Sequence, residues 1–182
     1  KDEAIIRLFN EYFDGSMGSI VFQEMRESRA LCYASKAYYR MADKAEHNNS
    51  FLTFIITQND KLQDCINAFD SICNMMPLSQ AAFDQAKTSL LKQIEQRRYV
   101  RSMPIDVYLA FIERGWDHDW NENIYNEVRN LTLDDVLDFQ RKHVANRTYR
   151  YLILGNQKDL DMKFLKTKGT IKKFKLKDIF VY

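Results

Sequence analysis

At Tyr33 the apolar period of the chain changes from helical to alternating, and a fold built from helices alone cannot absorb that change. Upstream, Ile5, Ile6, Leu8, Phe9, Tyr12 and Phe13 recur at helical spacing. The run DGSMGS (Asp14 to Ser19) then supplies turn residues, and a second helix is predicted from about Ser19 to Ala30. Downstream, YASKAYYRMA and FLTFIITQ (Phe51 to Gln58) are rich in aromatic and β-branched residues, with the turn chemistry of DKAEHNNS between them. Two paired antiparallel strands follow from that pattern.

After the hairpin the helical period returns. Asn59 and Asp60 offer capping side chains for a helix to about Asn74, which MMPLS ends. Ser79 to Tyr99 carries one apolar stripe of Phe83, Ala86, Leu90 and Ile94. The chain restarts at Ser102, and IDVYLAFIERGW reads as a helix ended by Gly115. Thr132 with Asp135 fits a capping box opening a helix to about Val144, and TYRYLILG (Thr148 to Gly155) reads as a third strand. The expected fold class is α+β, an antiparallel sheet packed against a layer of helices. With 182 residues, 46% of them hydrophobic, residues 1–182 are expected to form one domain.

The formal charge of +2 provides no global field for nucleic acid or an anionic surface. The seven lysines between Lys163 and Lys177 are a local exception. They alternate with Phe164, Leu165, Ile171, Phe174 and Leu176, which reads as a solvated face over a buried one. No nucleic-acid partner is expected, because no stacking platform accompanies the lysines. No apolar run is long enough to span a membrane.

The titratable residues form no familiar catalytic motif. Cys32, Cys65 and Cys73 are an odd set, and Cys65 and Cys73, eight apart on a helix, would lie about 12 Å apart along its axis, beyond disulfide reach. Buried thiols are expected. His47, His118 and His143 lack a His or Cys at helical ligand spacing, so no metal site can be read from them. Asp-His-Asp around His118 reads as a polar turn between Trp116 and Trp120. A G-x-S-x-G elbow and a Gly-rich phosphate loop are both missing.

Arg26, Arg29 and Tyr33 are the candidate site residues. Arg26 and Tyr33 are seven apart, so a helix that persisted to Tyr33 would carry both on one face, about 10 Å apart, with Arg29 on nearly the same side. A guanidinium and a phenol so placed could bind a peptide carbonyl and stabilise developing negative charge. The alternative is that Glu24, Arg26, Glu27 and Arg29 form an ordinary charged helix face and Tyr33 merely begins a strand.

The stretch LFNEYFDGSMGSIVFQEMRESRALCY resembles the start of the second, non-zinc domain in the insulinase (pitrilysin) family of zinc metallopeptidases, including its processing-peptidase-like bacterial members. The order of hairpin, long helices, LTLDDVLDFQRKHV and YLILGNQKDL is similar to that family over nearly the whole chain. The resemblance implies that the chain is the C-terminal half of a two-domain clamshell, with its first strands missing, enclosing a peptide substrate. It implies Zn in the N-terminal zinc-binding domain, on an H-x-x-E-H motif, and none bound by this chain. It assigns Tyr33 to the oxyanion of the tetrahedral intermediate and Arg26 to orienting the peptide backbone or the Tyr. The sequence departs from the family at Asp14-Gly15-Ser16, where Gly-Gly-Gly is usual, at Ala30, where Gly is usual, and at Cys32, where Ala is usual.

Two further readings stand beside this one. A catalytically inactive structural or binding subunit of the same fold is distinguished by a degraded H-x-x-E-H upstream. A binder of nucleic acid or anionic surfaces through Lys163 to Lys177 predicts steeply salt-dependent affinity. The missing strands imply an open sheet edge through which a second copy could pair as a homodimer. No compartment can be read from the residues, and resemblance alone points to a bacterial periplasm or cell envelope.

Overall fold

The computed structural model describes residues 2–42, 44, 46–97, 103–113, 115 and 121–180. The elements are α1 (Glu3–Asp14), a π-helical turn (Phe22–Glu27), strands β1 (Ala34–Arg40) and β2 (Ser50–Ile56), then α2 (Leu62–Asn74), α3 (Gln80–Gln96), α4 (Met103–Glu113), α5 (Asn121–Asn130), α6 (Leu133–His143), α7 (Met162–Lys168) and the short α8 (Leu176–Ile179). Helices packed on an antiparallel pair of strands make this an α+β fold.

The first helix is the centre of the core. Leu8, Phe9, Tyr12 and Phe13 are fully buried and share one broad face of the helix, about 140° wide. Phe9 stacks on Phe13 at 5.0 Å between ring centroids, Phe13 meets Phe51 of β2 edge-on at 5.8 Å, and Phe9 lies 5.2 Å from Phe139 of α6. Each such ring removes roughly 2 kcal/mol worth of apolar surface from water, so α1 ties hairpin and helices together. The Tyr12 hydroxyl donates to the carbonyl of Pro77 and accepts the N–H of Ser79, both at 3.0 Å. Ser79 in turn caps α3 by accepting from Ala82, and this pins the α2–α3 turn to α1.

The hairpin pairs Ala34 with Ile56 and Arg40 with Ser50. The outer edge of β1 is closed by side chains of α1. Asn10 accepts from Tyr39 N–H at 2.7 Å and donates to Tyr39 C=O at 2.9 Å, while the Asp14 carboxylate accepts from Ala37 N–H at 2.5 Å. Asn10 and Asp14, one turn apart on the helix, match Tyr39 and Ala37, which are two apart on the strand and face the same way. A sheet edge that would otherwise expose unpaired backbone is thereby satisfied.

Several local predictions hold. Thr132 with Asp135 forms the reciprocal capping box of α6. Cys32, Cys65 and Cys73 are buried free thiols. Other expectations are corrected. Asn59 and Asp60 belong to a 3-10 turn, Asn59–Lys61, with no side-chain cap. Thr148 to Gly155 is not a strand: the segment has no backbone ladder among the described residues and is held by side chains, Tyr149 hydroxyl to Val144 C=O and Tyr151 hydroxyl to Asp70 at 2.7 Å. Its β-branched and aromatic composition favours strand, but pairing needs a neighbour that local sequence does not supply. The lysine-rich tail buries only Leu165, while Phe174 and Leu176 are exposed. The restart at Ser102 and the turn around His118 lie outside the described residues.

Candidate functional site

The candidate residues lie where the second helix gives way to β1. That helix does not reach Tyr33. From Phe22 it widens into a π turn, with Ser28 N–H donating to Gln23 C=O at 2.8 Å, five residues back, and Met25 fully buried as its anchor. Ala30 then takes a left-handed backbone at φ 48°, and the helix ends. The seven-residue spacing therefore does not set Arg26 and Tyr33 on one helical face.

Three bonds hold the junction instead. Lys61 Nζ donates to Ala30 C=O at 2.9 Å, Thr57 Oγ1 donates to Leu31 C=O at 2.6 Å, and Tyr33 N–H donates to Ile56 C=O at 2.9 Å, extending the hairpin ladder by one residue. The Tyr33 side chain is 80% exposed on this fixed backbone. Arg26 lays its guanidinium over the Phe22 ring at 5.1 Å, and Arg29 pairs with Glu24 at 3.0 Å. Among the described residues no hydrogen bond joins Tyr33 to either arginine. The arrangement offers solvent a phenol donor and, on the turn before it, an exposed cation.

Cys32, next to Tyr33, is not activated. Burial raises its pKa, and a hydrogen bond with Ser35 and the charge of Arg26 only partly offset this. Burial likewise lifts Cys65 to about 11 and Cys73 to about 12. His143 is packed on Phe139, ring centroids 4.7 Å apart, and lies 3.4 Å from the Tyr39 hydroxyl. Burial lowers its pKa, as expected for a histidine absorbed by packing.

Sequence reasoning passed over Asp14. It is buried beside a cleft of about 430 Å³ lined by Arg7, Glu11, Lys36 and Arg97, and desolvation lifts its pKa from 3.8 to about 6 despite the Ala37 N–H and the charge of Lys36. The available signal was a pair of polar residues, Asn10 and Asp14, one turn apart amid Phe9, Tyr12 and Phe13.

Residues 1–90 match the family described as the Peptidase M16 inactive domain. Over these residues the chain belongs to that family. All three candidates, Arg26, Arg29 and Tyr33, fall in the matched part of the M16 inactive domain. The same fold recurs in the crystal structure of a peptidase M16 inactive domain from Pseudomonas fluorescens, at 20% identity and a TM-score of 0.60, over 79% of this chain and 34% of that one. The present chain thus spans about a third of that molecule's length. It recurs again in the inactive peptidase domain of a Bordetella parapertussis protein named as a zinc protease, at 12% identity and a TM-score of 0.64, over 80% of this chain and 79% of that one. At these identities the likeness is one of fold. No curated protein matches the chain.

The described residues of the inactive domain do not fit zinc: among them no three His, Cys, Asp or Glu side chains converge on a point. No helix of the described chain is long and apolar enough to cross a membrane.

Proposed function

We propose that the chain is, as one unit, the substrate-contacting non-zinc half of a zinc metallopeptidase clamshell, closing over a peptide against an N-terminal zinc-binding domain. The observation that carries this reading is the exposed phenol of Tyr33 on a backbone pinned to Ile56, within a Peptidase M16 inactive domain. A fixed donor aimed at a developing oxyanion accelerates hydrolysis because no reorganisation is needed when the charge forms. Arg26, exposed on the preceding turn, offers a cation for a peptide carbonyl or carboxylate. Arg29, already paired with Glu24, would have to leave that partner to touch substrate, so its role is the weakest of the three. Metal and attacking water belong to the partner half in this reading, so the chain alone cleaves nothing.

The test is hydrolysis of a quenched-peptide pool by this chain combined with its zinc-bearing half, or by the full-length parent. Tyr33→Phe is expected to lower turnover about 100-fold with the melting temperature unchanged, the usual loss on removing one oxyanion donor. Equal activity of the two would refute the assignment. The rival reading, a catalytically inactive structural or binding subunit, is favoured by the local satisfaction of both arginines, Arg26 on Phe22 and Arg29 on Glu24. It predicts no hydrolysis by any combination and a broken H-x-x-E-H in the partner half. A homodimer would have to pair through β2, since side chains of α1 occupy the β1 edge.

A further inference from the structure

The lysine-rich tail differs from what its alternation predicts, and the difference has a physical reading. Its apolar side chains are not under the lysines. Ile171, Phe174, Leu176 and Ile179 are all exposed, on an extended stretch that leads into α8. Lys172, Lys173, Lys175 and Lys177 lie among them, and none has an ion pair among the described residues. Lys168, four residues earlier at the end of α7, is different: it is held by Asp70 at 2.8 Å. The one acid in the segment, Asp178, is engaged by the N–H of Lys175 at 2.8 Å. Lys172 sets its ammonium 4.9 Å from the centre of the Phe174 ring, so cation and ring are presented together.

From this juxtaposition we infer that residues 171–180 form a peripheral docking segment for an anionic lipid surface. The four lysines supply attraction to acidic headgroups, and the exposed apolar side chains supply insertion at the headgroup boundary. Lysine stems of this length let the ammonium groups stay in water while the neighbouring apolar groups sink. A second copy of the chain is disfavoured as occupant, because it would bring the same four positive charges to the contact. Nucleic acid would use the charge, and stack on Phe174, but would leave the aliphatic Ile171, Leu176 and Ile179 without a partner.

The experiment is co-sedimentation of the full chain with vesicles of phosphatidylcholine carrying about 30 mol% phosphatidylserine, against pure phosphatidylcholine, across salt from about 50 to about 500 mM. Binding is expected only with phosphatidylserine, and to fall at least about tenfold over that salt range. Lys172→Glu, Lys173→Glu, Lys175→Glu and Lys177→Glu together should reduce binding to the phosphatidylcholine level. Phe174→Ser with Leu176→Ser should weaken it several-fold at low salt, with far-UV circular dichroism unchanged because both side chains are exposed. The wild-type lipid and salt comparison stands without any variant. No sedimentation with acidic vesicles at low salt overturns the inference. So does a single-stranded RNA that binds more tightly than the vesicles with Phe174→Ser and Leu176→Ser making no difference to the vesicles.

Discussion

The carboxyl of Asp14 makes stability depend on pH in an unusual direction. Desolvation is the dominant cause of its raised pKa, with the Ala37 N–H and the charge of Lys36 opposing it. Lys36 spends its ammonium on the main-chain carbonyl of Asp14, at 2.8 Å, rather than forming an ion pair with the carboxylate. Because the folded pKa, about 6, exceeds the ordinary 3.8, the folded state binds more protons than the unfolded one between those values. The contribution of Asp14 is thus fully present below pH 3.8 and is lost as pH rises through 6. The shift, about 2 units at about 1.4 kcal/mol each, amounts to about 3 kcal/mol. His143 acts oppositely: its lowered pKa gives a contribution present above 6.5 and lost as pH falls, so the two overlap in the raw profile. Asp14→Asn separates them, since the variant keeps an oxygen to accept from Ala37 and has nothing to titrate. Urea unfolding of both proteins from pH 4 to pH 8 reads the result. Wild-type stability minus that of the variant is expected to fall by about 2.5 kcal/mol between pH 4 and pH 7, the rest of the contribution being lost already below pH 4, and then stay flat. Parallel pH profiles would mean that Asp14 is as well solvated folded as unfolded, and the desolvation argument would fail.

Two further outcomes follow from the same region. Asn10→Ala removes both bonds to the Tyr39 backbone and should cost about 2–3 kcal/mol, read as a lower urea midpoint at unchanged slope; a loss under about 0.5 kcal/mol would mean that water replaces both. Ala30→Gly relieves a left-handed backbone that costs an L residue about 1–2 kcal/mol, against a backbone-entropy cost of about 0.4–1 kcal/mol, so the variant should melt about 1–3 °C higher; a lower melting temperature would show that the φ of 48° is unstrained.

Thr132 and Asp135 were legible because a cap is decided within four residues of sequence, and so was the hairpin, whose two runs lie nine residues apart. The sequence order that resembles the M16 family likewise needed no tertiary information. What could not be read depends on groups far along the chain. Thr148 to Gly155 has the composition of a strand, yet its fate rests on Asp70 and Val144 rather than on a ladder. Asp14 looked like the first residue of a turn, and only contact with Ala37, 23 residues on, buries it. The tail was misread for the same reason: alternation predicts one buried face, but burial requires a surface to pack on, and beyond Leu165 the described fold offers the tail little.

The junction at Tyr33 joins both cases. Its helical approach was legible, but its end was not, because Ala30 stands where the family pattern has Gly and its left-handed turn is held by Lys61 from beyond the hairpin. A seven-residue spacing implies a shared face only while the helix lasts. Here the helix stops at Ala30, and what remains of the pattern is one exposed phenol at the start of β1 and one exposed guanidinium resting on Phe22. If Arg26 and Tyr33 act on one peptide, the substrate must bridge them, since no hydrogen bond among the described residues joins them beforehand. Tyr33→Phe would then act on turnover and Arg26→Ala chiefly on KM, whereas a preassembled pair would lose both together.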